Sequence, residues 1–484
     1  RLLFGQYLSA QFDLLQQQAE NSGITTLVHL NTNVTDVIDR PELNQVSVEV
    51  AGEETFEFDQ IIICTGHRWL VKHEGIVPGY FDSPYPPVKL KLKIDHPVAI
   101  KGSSLTAIDA IRTLARHNGA FEMGSDGKLV FKPAEDSAGF KIMMHSRSGM
   151  LPAVRFHLED SHLENDSLLT TEEIDAHINQ NGGFLSLDYM FEKNFKDIFR
   201  EKDPVFYDQI KEMDIEAFVD HMMGLREQLE AFQLFKAEYA EAERSIKRKE
   251  SVYWKEMLGV LSFAMNYPAK YLSAEDMQRL QKVLMPLISI VIAYVPQSSC
   301  IELLALNDAG ILDIVSVGAD STIEPVDGGG AIYHYVDETA GERSVHYKTF
   351  VDCVGQPHLS YEEFPFKSLV SNRTISPARL KFASAEQATT AIADGNTAVE
   401  LDTKGEYYLK VPGITITDNF RVVDYFGDIN NRISIMAVPY IGGYNPDYSG
   451  LDFCEAASEA IMKSMPGIKE AVQCLFVSKL LTRC

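Results

Sequence analysis

A change from strand spacing to helical spacing within residues 97–119 constrains the fold of this chain more than any other stretch. A short apolar run is followed by the small residues Gly102-Ser103-Ser104, and apolar residues then recur at helical spacing from Leu105 onwards. The pattern predicts a strand, a tight turn and a helix. Free backbone N–H groups and the helix dipole stabilise a pyrophosphate at such a turn, so the stretch predicts half of a dinucleotide site.

The fingerprint of this turn departs from the usual G-x-G-x-x-G/A pattern at its centre. Gly102 and Ala107 fill the outer positions, while Ser104 replaces the central glycine. The serine either narrows the approach of a phosphate or offers its hydroxyl as a donor, and a plain strand-to-helix junction is the alternative interpretation. The predicted nucleotide contacts of the turn are Gly102, Ser103, Ser104, Leu105 and Thr106.

A second predicted strand, over residues 139–147, ends in Ser146 and Arg147. In a Rossmann unit the end of this strand meets the adenosine ribose, where an acidic residue favours a free 2'-hydroxyl and an arginine can hold a 2'-phosphate. Arg147 therefore predicts NADPH rather than NADH. The alternative is a surface arginine at a strand end.

The composition excludes several classes of partner. The 484 residues, 45% hydrophobic and 23% charged, are enough for two or three domains with substantial cores. With 44 basic and 69 acidic side chains the formal net charge is −25, which disfavours nucleic acid and anionic membranes. The six cysteines show no C-x-x-C pair and no zinc-ligand spacing, so we expect a reducing compartment and no metal site.

No segment has the features of a membrane span or a signal peptide. The longest apolar run, over residues 283–295, is interrupted by Pro286 and is too short to cross a bilayer. A cytoplasmic protein is therefore expected. The chain opens at Arg1 in a predicted helix over residues 1–23, which indicates a fragment.

Two apolar strands that end in glycine occur far apart in the chain. After predicted strands over residues 25–40 and 45–52, the run FDQIIICTG ends at Thr65-Gly66, and VDCVG ends at Gly355. An apolar strand that stops at glycine is typical of a buried parallel strand facing a ligand crevice. Two such units indicate two nucleotide-binding domains.

The order FDQIIICTG, VAIKGSSLTAIDA and VDCVG resembles that of the flavoproteins with two dinucleotide-binding domains, in which an NAD(P)H domain is inserted into an FAD domain. The phrases GSSLTAIDA and HSRSGMLPAVR look most like a bacterial FAD/NAD(P)-binding branch related to flavin-containing and N-hydroxylating monooxygenases. The resemblance implies an α/β fold with two Rossmann-like domains and an α-helical insertion. It implies a partial FAD domain over 1–75, an NAD(P)H domain over 76–158 and 299–358, the insertion over 159–298, and the rest of the FAD domain over 359–484.

The resemblance also implies FAD contacts at both ends of the chain. The family's FAD fingerprint lies ahead of the equivalent of Arg1 and is not found before Thr65, which leaves FAD binding by this polypeptide open. The implied contacts in the first part of the chain are Val34 with the adenine, and Thr65 and Gly66 near the pyrophosphate. In the last part, Gly442, Gly443 and Asn445 would lie along the flavin edge. Gly450 and Leu451 would lie in a helix that starts near Ser449 and points its N-terminus at the flavin pyrimidine. An ordinary strand-to-helix corner is the alternative for the C-terminal glycines.

The middle of the chain, residues 160–300, predicts helices, with Ser186 and Ser273 as N-caps. Its aromatic and methionine residues are interpreted as core packing, and its histidines match no metal-binding motif. The whole pattern favours an FAD- and NADPH-dependent oxidoreductase, with monooxygenase-like chemistry as one form, in which NADPH reduces the flavin. No catalytic side chain is nominated. The alternatives are a flavin-binding scaffold or redox sensor without turnover, and a nucleotide-free interaction protein; the small-molecule substrate and the oligomeric state are left open.

Overall fold

The structure, a computed structural model, describes residues 2–52, 54–66, 69–159, 168–337, 340–355, 358–447 and 450–465. The α-helices of these residues are α1 (Leu2–Asn21), α2 (Leu105–Asn118), α3 (Thr171–Gln180), α4 (Leu187–Phe191), α5 (Asp197–Lys202), α6 (Pro204–Ile210), α7 (Ile215–Glu227), α8 (Ala231–Arg248), α9 (Tyr253–Asn266), α10 (Ala274–Arg279), α11 (Met285–Val291), α12 (Gln297–Asp308), α13 (Lys367–Ser371), α14 (Ala385–Ala393) and α15 (Gly450–Ser464). The strands are β1 (Val34–Arg40), β2 (Gln45–Val50), β3 (Glu54–Phe58), β4 (Ile61–Ile63), β5 (Tyr80–Phe81), β6 (Pro97–Lys101), β7 (Gly119–Met123), β8 (Leu129–Pro133), β9 (Lys141–Ser146), β10 (Leu312–Ser316), β11 (Thr322–Pro325), β12 (Ala331–Asp337), β13 (Gly341–Tyr347), β14 (Thr349–Asp352), β15 (Pro377–Lys381), β16 (Val399–Leu401), β17 (Tyr407–Ile414), β18 (Arg421–Val423) and β19 (Ile429–Ile435).

Five strands form a parallel sheet in the order β10-β9-β6-β14-β5. From β6 the chain crosses by α2 to β9 on one side, while β14 pairs with β6 on the other. Val98, Ile100 and Met144 are fully buried, as expected for parallel strands covered on both faces. Because β9 lies on one side of β6 and β14 on the other, the strand order reverses at β6. In open α/β sheets a ligand crevice lies at this point, outside the carboxyl ends of the strands.

A smaller sheet combines β4, from the first part of the chain, with β18 and β19, from the last part. Its order is β18-β19-β4, and β4 pairs in parallel with β19 through Ile63 and Ile435. The antiparallel sheets β1-β2-β3, β11-β12-β13 and β15-β17-β16 and the β7-β8 hairpin complete the pairing of the described strands. The carboxyl ends of β4 and β19 therefore lie side by side and form a second edge at which a ligand can bind.

The helices α3 to α11, here called the middle helices, lie between β9 and the crossover helix α12 that leads to β10. Phe232 and Phe235 of α8 belong to the apolar core of the parallel sheet. Leu258 and Leu261 of α9 belong to a second apolar core, which also contains Ile63 of β4. The middle helices thus pack against both sheets that carry a candidate ligand edge.

The mixed α/β fold with a parallel sheet and a helical region is confirmed. The predicted caps are also confirmed, because the hydroxyl of Ser186 accepts from the N–H of Tyr189 and that of Ser273 from the N–H of Asp276. None of the described helices is long and apolar enough to span a bilayer.

The predicted strand over residues 25–40 is wrong in its first part. β1 begins only at Val34, where its pairing with Val50 of β2 begins, and residues 24–33 form neither helix nor strand. Leu27 is 81% exposed and Leu30 79%. The apolar pattern was compatible with a strand, but a strand needs a neighbour for its N–H and C=O groups, and β2 is too short to supply one.

His145 joins the parallel sheet to the sheet β11-β12-β13. Its ring stacks on that of Tyr333, with centroids 4.2 Å apart and planes inclined by 14°. The side chain is 1% exposed, and burial lowers the pKa of His145 to about 4. His145 is therefore neutral near pH 7.

We expect His145→Phe to reduce the loss of stability in acid. Because burial lowers the pKa of His145, the unfolded chain binds a proton that the folded chain does not, and the free energy of unfolding falls as the pH drops from the ordinary histidine pKa of 6.5 towards about 4. This contribution amounts to about 2 kcal/mol between about pH 7.5 and about pH 5. Urea unfolding of both proteins at the two pH values measures the difference, and equal losses would contradict the assignment to His145.

Candidate functional site

The predicted turn lies at the switch point of the parallel sheet. Gly102 follows β6 with a φ of +105°, and a Cβ there would be 3.0 Å from the carbonyl oxygen of Cys353, which follows β14. The N–H of Gly102 donates to the carbonyl of His145 at 2.8 Å. Glycine is favoured here by its backbone conformation and by the close approach of the neighbouring strand.

The residues after Gly102 leave backbone N–H groups at the start of α2. Ser103 donates its hydroxyl to the carbonyl of Met150 at 2.8 Å, so it ties the turn to the loop after β9. Ser104 is the N-cap residue, is exposed and forms no capping hydrogen bond with its side chain. Leu105, 38% exposed, and Thr106 form the first helical turn, whose N–H groups have no acceptor within the helix. The turn can therefore donate hydrogen bonds to an anion.

The two serines of this turn form a matched pair for mutation. We expect Ser103→Ala to lower the free energy of unfolding by about 1 kcal/mol, because it removes a partly buried hydrogen bond. Ser104→Ala should change it by less than about 0.5 kcal/mol, because an exposed side chain without a partner is lost. Urea denaturation of the two variants measures both values, and a larger loss for Ser104→Ala would mean that its hydroxyl is structural.

Arg147 is exposed and directly follows β9, next to the end of β10. Its carbonyl accepts from the N–H of Gly318 at 3.1 Å and from the hydroxyl of Ser316 at 3.2 Å. A cavity of about 290 Å³ adjoins this loop. It is lined by Val317, Gly318, Ala319, Asp320, Ser321, Thr322, His334, Tyr335, Val336, Glu342, Arg343 and Ser344.

Sequence reasoning missed Arg343 and Tyr335 at this cavity. They are partners across β12 and β13, so their side chains share one face of that sheet. The Tyr335 ring lies 6.2 Å from that of His145, two residues before Arg147. Arg343 has no local motif around it, and only the folding of the sheet β11-β12-β13 onto β9 brings it to the loop that contacts Arg147.

The second ligand edge begins at Thr65 and Gly66, just beyond β4. The N–H of Met436 donates to the carbonyl of Ile63 at 3.0 Å, which places the end of β19 beside these residues. No atom would lie within 4 Å of a Cβ at Gly66, and the hydroxyl oxygen of Thr65 is buried without a hydrogen-bond partner. A group on the open side of Gly66 could approach the backbone closely.

The predicted glycines after β19 lie in a segment, residues 441–447, that we call the glycine loop. A Cβ at Gly442 would overlap the ring of His358, and one at Gly443 would lie 2.3 Å from the carbonyl oxygen of Pro412. Packing of the protein itself accounts for both glycines. Asn445 is 4% exposed and donates its amide to the carbonyl of Asn266 at 2.7 Å, while its amide oxygen has no hydrogen-bond partner.

The helix α15 begins at Gly450, which has a φ of +82°, and the next residue, Leu451, is 53% exposed. Burial raises the pKa of Cys64, and the neighbouring Cys454 raises it further. Phe453 of α15 lies in the apolar core that also contains Ile63 of β4. Both cysteines are free thiols, and no sequence spacing linked them.

Two residues that are close in sequence contact the two ligand edges. Cys353 lies against Gly102 at the first edge, and His358, five positions later in the sequence, lies against Gly442 beside the second. The turn and the glycine loop are thus each contacted by one of these two residues. Val34 stands apart at the start of β1, where it is 40% exposed.

The residues at the second edge fit a polar ligand such as FAD. The oxygen atoms of Thr65 and Asn445 are buried without partners, which is costly unless another group satisfies them. Gly66 is open, and α15 begins nearby. Among the described residues there is no group of three or more His, Cys, Asp or Glu side chains that could hold a metal ion.

Two family models match parts of the chain. Residues 1–68 match the FAD-NAD(P)-binding model, and residues 170–292 match the YdhS-like middle domain. The predicted relationship to FAD/NAD(P)-binding flavoproteins is therefore confirmed, and the first match contains Val34, Thr65 and Gly66. The second match covers most of the middle helices.

Individual proteins also resemble the chain. It is 26% identical over 472 residues to "Uncharacterized protein YdhS" of Escherichia coli (strain K12), a match that covers 96% of this chain and 79% of that protein. The structure of DfoA from Erwinia amylovora, a cadaverine monooxygenase bound to FAD, matches with a TM-score of 0.34 and 12% identity, covering 90% of this chain and 68% of that one. The bacillithiol disulfide reductase Bdr of Staphylococcus aureus matches with a TM-score of 0.34 and 9% identity, covering 93% and 73%.

Proposed function

We propose that the protein is an oxidoreductase that binds FAD at the edge formed by β4 and β19 and NADPH at the edge of the parallel sheet. One observation carries the proposal: Cys353 lies against the turn at Gly102, and His358, only five positions later in the sequence, lies against the glycine loop at Gly442. Two nucleotides bound at edges that are this close along the chain can bring their reactive rings together. Hydride transfer from NADPH to flavin is the reaction that such an arrangement supports.

The turn at Gly102 would bind the pyrophosphate of NADPH. The N–H groups of Ser104, Leu105 and Thr106 begin α2, where the helix dipole favours negative charge. Arg147 would hold the 2'-phosphate, because a guanidinium group offers paired donors to phosphate oxygens. Arg343 lines the adjoining cavity and would add a second positive charge beside the acidic Asp320 and Glu342.

The second edge would hold FAD through backbone and amide groups. Thr65 and Gly66 would lie near the pyrophosphate, and Val34 near the adenine. Gly450 and Leu451 begin the helix α15, whose N-terminal end would favour negative charge on the pyrimidine side of the flavin. The glycine loop, with Gly442, Gly443 and Asn445, would lie along the flavin edge.

Bound FAD would supply the redox chemistry, and the chain would supply binding and orientation. The middle helices pack on the cores of both sheets and would exclude water from the space between the rings. No side chain of the described residues is assigned a proton-transfer role. These roles are those of a flavoenzyme whose substrate binds outside the two nucleotide sites.

We expect Arg147→Ala to weaken NADPH binding at least about tenfold and NADH binding less than about twofold, because only NADPH carries the 2'-phosphate. Arg248→Ala, at the exposed end of α8, is the control and should change neither constant. Fluorescence titration of the wild-type protein and both variants with the two nucleotides measures the six dissociation constants. An equal loss for NADPH and NADH would show that Arg147 does not bind the 2'-phosphate.

The FAD half is tested by equilibrium titration of the purified protein, produced from its complete gene, with FAD. We expect saturable binding of one FAD per chain. The quenching of flavin fluorescence measures this binding. Absence of binding would contradict the proposed flavin edge.

A further inference from the structure

The middle helices contact the glycine loop through the polar side of α9. Ser262 donates its hydroxyl to a carboxyl oxygen of Asp447. The side-chain oxygen of Asn266 accepts from the N–H of Asp447 at 2.7 Å. The backbone carbonyl of Asn266 accepts from the side-chain amide of Asn445, also at 2.7 Å. One helix therefore makes three hydrogen bonds to two residues of the loop.

These contacts are buried. Ser262 is 2% exposed, Asn266 3% and Asn445 4%. Hydrogen bonds in such surroundings are not exchanged for water, and the loss of one partner leaves the other unsatisfied. Burial also raises the pKa of Asp447, whose carboxyl group has the Ser262 hydroxyl as a hydrogen-bond partner. The position of the loop thus depends on α9.

The helix α9 is itself held firmly. Leu258, Leu261 and Met265 lie in the apolar core that also contains Ile433 of β19 and Phe453 of α15. The same core therefore fixes α9, the strand before the glycine loop and the helix after it. The polar contacts select one position of the loop within this frame.

The contact with Asn266 also sets the orientation of the Asn445 amide. A carbonyl can only accept, so the NH₂ group of Asn445 is the one that faces the backbone carbonyl of Asn266. The amide oxygen is buried and is left without a partner. The contact with α9 therefore leaves the loop with one buried acceptor that a ligand could satisfy.

We propose that Ser262 and Asn266 are positioning residues, through which the middle helices hold the glycine loop in the conformation that accepts the flavin. This inference rests on the proposed function, and it gives the region matched by the YdhS-like middle domain a role at the flavin edge. Without the two side chains the loop would keep its own turns and the bond from Asn445 to the backbone carbonyl of Asn266, but it would lose both hydrogen bonds between α9 and Asp447.

The test compares the double variant Ser262→Ala/Asn266→Ala with Ser273→Ala. Ser273 is also a buried serine of the middle helices, but it caps α10 and makes no hydrogen bond to the loop. Hydrogen exchange of the amides at residues 441–447, measured without FAD, should accelerate at least about tenfold in the double variant and stay unchanged in Ser273→Ala. The FAD dissociation constant should rise at least about tenfold in the double variant only.

Asp447→Asn and Asp447→Leu give a second, independent comparison. The carboxamide can still accept from Ser262, so we expect Asp447→Asn to bind FAD within about twofold of the wild-type protein. Asp447→Leu removes the acceptor of Ser262 but keeps the N–H that donates to Asn266, so it should weaken FAD binding, though by less than the double variant does.

The outcomes separate this inference from the proposed function. Unchanged exchange of the loop in the double variant would overturn the positioning role. So would wild-type FAD affinity in that variant. Accelerated exchange, together with a wild-type protein that does not bind FAD, would support the attachment of the loop to α9 and contradict the flavin site.

Discussion

A buried carboxylate, Glu238 of α8, links the helices on which both ligand edges depend. Its oxygen atoms lie 2.5 Å from the guanidinium of Arg226 on α7 and 3.0 Å from the ammonium of Lys255 on α9. Burial opposes ionisation, but Lys255 and Arg226 hold the pKa of Glu238 below its usual value. A charge in this position requires both partners, because removing one partner of a buried pair costs about 3–5 kcal/mol. The three helices are therefore joined at a fixed point.

This junction relates the two sheets to each other. α8 packs on the core of the parallel sheet, which carries the Gly102 turn, whereas α9 packs on the core of β4 and β19 and holds the glycine loop. Cys353 beside Gly102 and His358 beside Gly442 are only five positions apart in the sequence, which also limits the distance between the two edges. A two-nucleotide enzyme needs its two edges in a constant relation, since hydride transfer depends on the placement of both rings.

The sequence predicted what is local and missed what folding brings together. The turn at Gly102 was predictable because strand, glycine and helix follow each other directly. The bond from Asn445 to Asn266 joins residues 179 positions apart, and no pattern in either segment indicates it. Gly442 and Gly443 were predicted to lie along the flavin edge, whereas the contacts that require glycine at these positions are with the ring of His358 and the carbonyl of Pro412, which the sequence did not indicate. The false strand over residues 25–33 shows that an apolar pattern cannot supply the partner strand.

The most direct test of the two-nucleotide enzyme is the absorbance spectrum of the purified protein with FAD, recorded before and after NADPH is added without oxygen. We expect flavin bands that bleach on addition of NADPH, and more slowly with NADH, because one nucleotide would reduce the other across the two edges. Flavin bands that persist after NADPH would contradict an enzyme and indicate a scaffold or sensor. A protein that remains colourless with FAD would contradict the flavin edge itself.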